Sequence, residues 1–246
     1  MKKTALITGG AGEIGSAISR KFADNGFDII VTYNSKAQKA EDFIQTLPAG
    51  NHSIFHAPNT DEAKIDSLKA MVIEKYGKLD VLVNNAGITT PVAHDNLTGL
   101  TNEWIDRIMQ TNFRGSFAMI RAFQPLLEKS NEQTALVVNI SSIAGIFGVG
   151  SNVAYCASKA ALDSMTRSLA RALAPKIRVI SVSPGFVEGE YTKGFDPDFL
   201  ETQRSLTPLN RFAINDDVAN AVYSTFDRLT FTTGSIITID GGRLLQ

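Results

Sequence analysis

Tyr155 and Lys159 stand four positions apart in the small-residue stretch Ser151-Asn152-Val153-Ala154-Tyr155-Cys156-Ala157-Ser158-Lys159-Ala160. On a helix that spacing stacks the two side chains on one face. A phenol with an ordinary pKa near ~10 is a poor proton carrier at neutral pH until a neighbouring cation stabilises its phenolate. The pair is therefore a candidate general acid/base unit. Taken alone it also fits a solvated helix edge, so the surrounding elements must decide between the two readings.

Those elements form a repeating pattern. Short β-rich runs recur at Thr4-Ala5-Leu6-Ile7, Asp28-Ile29-Ile30-Val31-Thr32, Ser53-Ile54-Phe55, Val81-Leu82-Val83, Leu136-Val137-Val138-Asn139-Ile140, Val179-Ile180-Ser181-Val182 and Ile236-Ile237-Thr238-Ile239. Longer segments of helical periodicity separate them. Alternating strands and helices require a parallel sheet covered on both faces, with right-handed crossovers. The expected fold is a doubly wound α/β sheet of the Rossmann type in one domain spanning residues 1–246.

The turn motifs fall at one edge of that sheet. After the first run comes Thr8-Gly9-Gly10-Ala11-Gly12-Glu13-Ile14-Gly15, which opens a helix-forming stretch. Its glycines allow backbone to approach a pyrophosphate, which would sit at the positive helix N-terminus. Asn84-Asn85-Ala86-Gly87 follows the fourth run, Ser141-Ser142 the fifth and Pro184-Gly185 the sixth. Each alone is an ordinary turn. Together they mark the carboxyl ends of the strands, where open α/β sheets bind ligands.

Bulk properties narrow the partners. The 246 residues are 43% hydrophobic, and Lys+Arg 24 nearly balances Asp+Glu 25 without a long run of one sign. Neither nucleic acid nor a membrane surface is an implied partner; a small molecule is. Cys156 is the single cysteine, which excludes an internal disulfide and a cysteine-based metal cluster and fits a reducing compartment. His52, His56 and His94 show no ligand spacing, so no metal is assigned. The apolar segment Ala5-Leu6-Ile7 is too short for a signal sequence or a membrane span, and a cytoplasmic location is expected.

From about Thr4 to Gly242 the chain resembles the short-chain dehydrogenase/reductase family. The resemblance rests on the glycine loop, Asn84-Asn85-Ala86-Gly87, Asn112, Ser142, Tyr155 with Lys159, Pro184-Gly185 and Asp240-Gly241-Gly242. Ser142 precedes Tyr155 by thirteen residues, the separation of this family, which selects it over Ser141. The resemblance implies hydride transfer between a nicotinamide and a carbonyl or secondary alcohol. It makes Tyr155 the proton carrier, Lys159 its activator and a ligand of the nicotinamide ribose, Ser142 a hydrogen-bond donor to the substrate oxygen, and Asn112 the holder of a water leading to the lysine. Gly9, Gly12, Ile14, Gly15, Asn34, Ser35, Asn59, Asn85, Ala86, Gly87, Pro184 and Gly185 become cofactor contacts, together with Tyr155 and Lys159.

Cofactor choice turns on the end of the second strand. NAD-preferring relatives place an acid there for the ribose hydroxyls, but the position eighteen after Gly15 is Tyr33, followed by Asn34, Ser35 and Lys36. NADP(H) is expected, with NAD(H) second. Three positions depart from the family pattern. Glu13 stands where many relatives carry glycine, Pro58-Asn59 replaces an Asp-Val pair beside adenine, and Gly189 replaces a threonine that contacts the carboxamide, with Thr192 as a substitute nearby.

Length and ending look closest to 3-oxoacyl-acyl carrier protein reductases. That similarity implies an acyl thioester substrate and an acidic carrier docked on basic residues near the site, for which Lys129 and Lys176 are candidates. A sugar, a sterol or a cyclic ketone is the alternative substrate, and a catalytically silent nucleotide-binding relative is the alternative class. The segment from Phe186 to about Arg211, with Tyr191, Phe195, Phe199 and Leu200, is either an apolar lid or a surface excursion of short helices. Family relatives commonly form tetramers that bury the C-terminal segment, here Arg243 to Gln246, so a homotetramer is expected.

Overall fold

The computed structural model describes residues 2–190 and 192–245. Tyr191 of the expected lid and Gln246 of the expected C-terminal contact lie outside them. Among the described residues a single sheet contains β1 (Thr4–Ile7), β2 (Asp28–Tyr33), β3 (Ser53–His56), β4 (Val81–Asn84), β5 (Ala135–Ile140), β6 (Ile177–Pro184) and β7 (Ile236–Ile239). Their order is β3-β2-β1-β4-β5-β6-β7, and every neighbouring pair is parallel. All seven sequence runs became strands, four of them longer by one residue and β6 by four. The order reverses between β1 and β4, which opens a crevice at their carboxyl ends.

Helices cover both faces because strand residues alternate between them. One face carries α1 (Glu13–Asp24), α2 (Ala37–Gln45) and α9 (Asn215–Asp227), packed on Ala5, Ile7, Ile29, Val31, Val83, Val138 and Val182. The other carries α3 (Glu62–Tyr76), α5 (Gly115–Leu127) and α7 (Val153–Leu173), packed on Leu6, Ile30, Leu82, Val137 and Val179. Phe22, Phe27 and Phe123 are fully enclosed. Burying side chains of this size contributes roughly 1.5–3 kcal/mol each.

The 186–211 segment contains short helices. Its two ends pair with each other, with Glu188 N–H donating to the Ala213 carbonyl at 2.8 Å and Ala213 N–H to that of Phe186 at 3.0 Å. Between them α8 (Pro197–Ser205) begins on the Asp196 carboxylate, which accepts from the Asp198 and Phe199 N–H groups. Phe186 packs against Phe199 and Phe212, with ring centroids 6.3 and 5.3 Å apart, and so draws the helix over the end of β6. No helix among the described residues is long and apolar enough to cross a membrane.

Candidate active site

The glycine loop is held by its own backbone and by β4. Gly9 has φ of +61°, a left-handed conformation that a side chain would strain. A Cβ at Gly15 would lie 2.4 Å from the Gly9 carbonyl oxygen, so only glycine lets the loop close against the first turn of α1. Gly12 caps α1 without a side-chain hydrogen bond, and Ile14 and Gly15 follow in the first turn. Its leading N–H groups are thus available to an anion. Thr8 locks the loop to the next strand: its hydroxyl accepts from both Asn85 and Ala86 N–H at 2.9 Å. The Asn85 side chain returns bonds to the Thr8 and Gly9 carbonyls at 2.9 and 3.2 Å. Sequence reasoning passed over Thr8 because its role exists only once β1 and β4 are neighbours.

A π-helical turn, Gln110–Arg114, joins α4 (Asn102–Met109) to α5 and carries Asn112. Such turns are rare and often sit at functional sites. The Asn112 side chain is almost fully buried. Its Oδ1 accepts from Ile88 N–H at 2.8 Å, while Nδ2 donates to the Ile88 carbonyl and to Ser158 Oγ, each at 3.0 Å. Asn112 thus ties the loop after β4 to α7, one residue from Lys159. Asn59 is buried as well, its amide donating to the Thr111 carbonyl at 2.9 Å, so it braces the π-turn.

Helix α7 starts on Asn152, whose Oδ1 accepts from Tyr155 N–H at 2.7 Å. That cap fixes the helical phase and hence where Tyr155 and Lys159 face. Lys159 is buried, and its ammonium donates to the Ile140 carbonyl at 2.8 Å and lies 5.6 Å from the Tyr155 ring centroid. Burial pulls the ammonium down to about 8, opposed by the Asp163 carboxylate. Ser142, half-buried at the end of β5, accepts from Ala144 N–H at 3.2 Å. Ser141 turns the other way and donates to the Lys159 carbonyl at 3.2 Å. A Cβ at Gly87 would stand 3.6 Å from Lys159 Nζ, which brings the Asn84–Gly87 motif to the same place. A Cβ at Gly185 would stand 3.1 Å from Asp240 Cα, placing the Pro184-Gly185 turn beside the end of β7.

Two departures from the family pattern explain each other. The Glu13 carboxylate points away from the loop, accepts from Glu190 N–H at 2.7 Å and lies flat on Gly189, where a Cβ would come within 2.2 Å of Oε2. Glu13 fills the space that a threonine at 189 would occupy. The hydroxyl of Thr192, the expected substitute for that threonine, closes a turn on the Gly189 carbonyl and N–H at 2.8 and 3.2 Å. Asn34, Ser35 and Lys36 are exposed beyond β2, and Tyr33 stacks on His56. The topology bears on a second expectation. Lys129 and Lys176 sit at the amino edge of the sheet, next to the starts of β5 and β6, so within one chain they lie opposite Tyr155. Among the described residues no group of His, Cys, Asp and Glu is arranged to hold a metal.

Known proteins resemble this chain along nearly its whole length. A family model described as enoyl-(acyl carrier protein) reductase matches residues 9–243. A 3-oxoacyl-(acyl-carrier-protein) reductase FabG of Staphylococcus aureus is 34% identical over 98% of this chain and 98% of its own. The enzyme of that name from Thermotoga maritima is 35% identical over 99% and 98%. Among solved structures, a short-chain dehydrogenase/reductase of the glucose/ribitol dehydrogenase type from Brucella melitensis superposes with a TM-score of 0.90 at 28% identity, covering 99% of both chains. A Burkholderia xenovorans structure assigned to the short-chain dehydrogenase/reductase family gives 0.92 at 31% identity, covering 100% of this chain and 99% of that one.

Proposed function

The chain belongs to the short-chain dehydrogenase/reductase family and is an oxidoreductase that works with a nicotinamide cofactor, and we propose that it is an NADP(H)-dependent carbonyl reductase acting on 3-oxoacyl thioesters. The buried Lys159 ammonium beside the Tyr155 ring carries this reading. A cation held in low dielectric favours the phenolate, which makes Tyr155 able to release and recapture a proton near neutral pH.

Bound, the nicotinamide would supply the hydride; the side chains handle the oxygen. Ser142 accepts from a backbone N–H, and its own proton is directed to the substrate oxygen, where negative charge develops as the carbonyl is reduced. Tyr155 delivers the proton to that oxygen. Lys159, buried and charged below about pH 8, holds the phenol poised for the transfer and offers its remaining donors to the ribose hydroxyls. Asn112 keeps Ser158 and the Ile88 backbone in place around the lysine. The residues fit the cofactor: the glycine loop is closed to side chains at Gly15, and α1 presents uncapped N–H groups beside it. Gly9, Gly12, Ile14 and Gly15 would hold the pyrophosphate, and Asn85, Ala86, Gly87, Pro184 and Gly185 the nucleoside and nicotinamide.

NADP(H) is supported by the missing carboxylate after β2 and by exposed Asn34, Ser35 and Lys36, whose donors and cation suit a 2′-phosphate. The thioester substrate is supported by the likeness to the two reductases named above. It implies an acyl carrier protein as partner, and the homotetramer common in the family is the assembly we infer. Reduction of an acetoacetyl thioester by NADPH, at a kcat/KM at least about tenfold above that with NADH, tests the whole reading. Equal or better use of NADH removes the cofactor assignment, and turnover confined to sugars or cyclic ketones removes the thioester.

A further inference from the structure

Asp163 is a buried carboxylate that the proposed chemistry leaves unused. It lies one helical turn beyond Lys159 on the same face of α7, with only 3% of its surface exposed. Its Oδ1 accepts from the Ser181 hydroxyl of β6 at 2.6 Å, while Oδ2 is buried without a hydrogen-bond partner. The Ser141 hydroxyl, which bonds the Lys159 carbonyl, adjoins the carboxylate. An ionised carboxyl with an unsatisfied oxygen is costly to bury unless a cation compensates it. Lys159 is also enclosed, and its ammonium donates to the Ile140 backbone carbonyl rather than to a carboxylate among the described residues.

We propose that Asp163 is the counter-charge that keeps Lys159 protonated at the active site, and so acts as a positioning residue for proton transfer through Tyr155. This rests on the roles assigned above to Tyr155 and Lys159. The groups facing Asp163 are Lys159 and Arg167 on α7, Ser181 on β6 and Ser141 after β5. Burial raises the Asp163 carboxyl above the usual carboxylate range, and the Ser181 and Ser141 hydroxyls together with the two cations act against that rise, favouring the ionised form. On the lysine, Asp163 acts against desolvation. Removing the carboxylate's charge leaves desolvation unopposed, and the ammonium then loses its proton at a lower pH. Ser181 has a derived part: its hydroxyl stabilises the anion, so its loss shifts the same balance less.

Asp163→Asn keeps the shape and removes the charge. The first measurement is the pH dependence of kcat/KM for an acetoacetyl thioester with NADPH. The second needs no cofactor: absorbance at 295 nm titrates the Tyr155 phenolate, with Tyr155→Phe as the blank. Asp163→Asn is expected to move the alkaline limb of the rate profile down by about one pH unit or more, and the phenolate transition up by a comparable amount. Ser181→Ala should move both in the same directions by less, and supplies the test if Asp163→Asn does not fold. Wild-type positions for both transitions in either folded variant overturn the proposal. A Tyr155→Phe enzyme that keeps the wild-type rate overturns instead the assignment on which it rests, and the phenolate titration would still read the Asp163–Lys159 coupling.

Discussion

The two faces of the sheet are built to different rules. Towards α1 and α9 the strands stay apolar to their carboxyl ends, with Ile7, Val31, Val83, Val138, Ile140 and Val182. Towards α5 and α7 they are apolar only in their amino halves, at Leu6, Leu82, Val137 and Val179, and then change to Asn84, Asn139, Ser181 and Ser183. Register places Asn84 beside Asn139 and Asn139 beside Ser181, so the polar residues form a buried row across three strands. Asn84 donates to Asn139 at 2.9 Å, Asn139 to Thr166 at 2.9 Å, and Ser181 to Asp163. The apolar face holds the sheet together, whereas the polar row sets the position of the helix that carries Tyr155 and Lys159.

The largest expected effect lies at the end of that polar row. Tyr155→Phe should lower turnover about a thousandfold while leaving thermal unfolding unchanged, as measured by NADPH oxidation beside a melting curve. Next is a pair of neighbours on opposite faces. Val138→Asn puts an amide among the apolar side chains under α1 and α9 and should cost about 4 kcal/mol in urea unfolding. Asn139→Val leaves Asn84 with only the long 3.4 Å bond to the Ser116 carbonyl and removes the donor from Thr166, and should cost about 2 kcal/mol. The reverse order would break the comparison between the faces.

Lys159 sharpens it through pH. Its drop from 10.5 to about 8 corresponds to about 3 kcal/mol of penalty on the folded state. Below about pH 8 the folded and unfolded states both hold the proton, and the penalty is fully present. Between about 8 and 10.5 the unfolded state binds more protons, so stability should rise there relative to Lys159→Met, by urea unfolding across that range. The smallest effect lies outside the row, at the Glu13–Gly189 contact. Gly189→Ala should cost about 1 kcal/mol in the same assay, and Glu13→Gly should relieve it in the double variant, because the three atoms nearest the added Cβ all belong to that carboxylate.

Much of this was legible in sequence. The seven strand runs, their order with intervening helices and the four turn motifs are local features, written in composition, period and glycine placement. They led to the parallel sheet and to Gly9, Gly15, Tyr155 and Lys159 without tertiary information, while Ser142 was chosen over Ser141 by the resemblance to the family. The two lysines offered as carrier contacts lie at the opposite edge from Tyr155 within one chain, because residue spacing does not say which edge of a sheet a loop occupies. The 186–211 segment stayed ambiguous because its short helices are fixed by contacts with Phe212 and the Ala213 backbone, beyond its own length.

The sequence alone determined that a phenol and an ammonium share a helical face and that a tight glycine turn opens the first helix, since each depends on residues a few positions apart. Only the tertiary structure decided that Glu13 turns to Gly189, that Thr8 clamps the loop to β4, and that Asp163 meets Ser181 in a polar row crossing three strands. Those relations join residues distant in the chain. Their energies come from burial, where an unpaired charge or amide costs most, and burial is a property of the assembled fold.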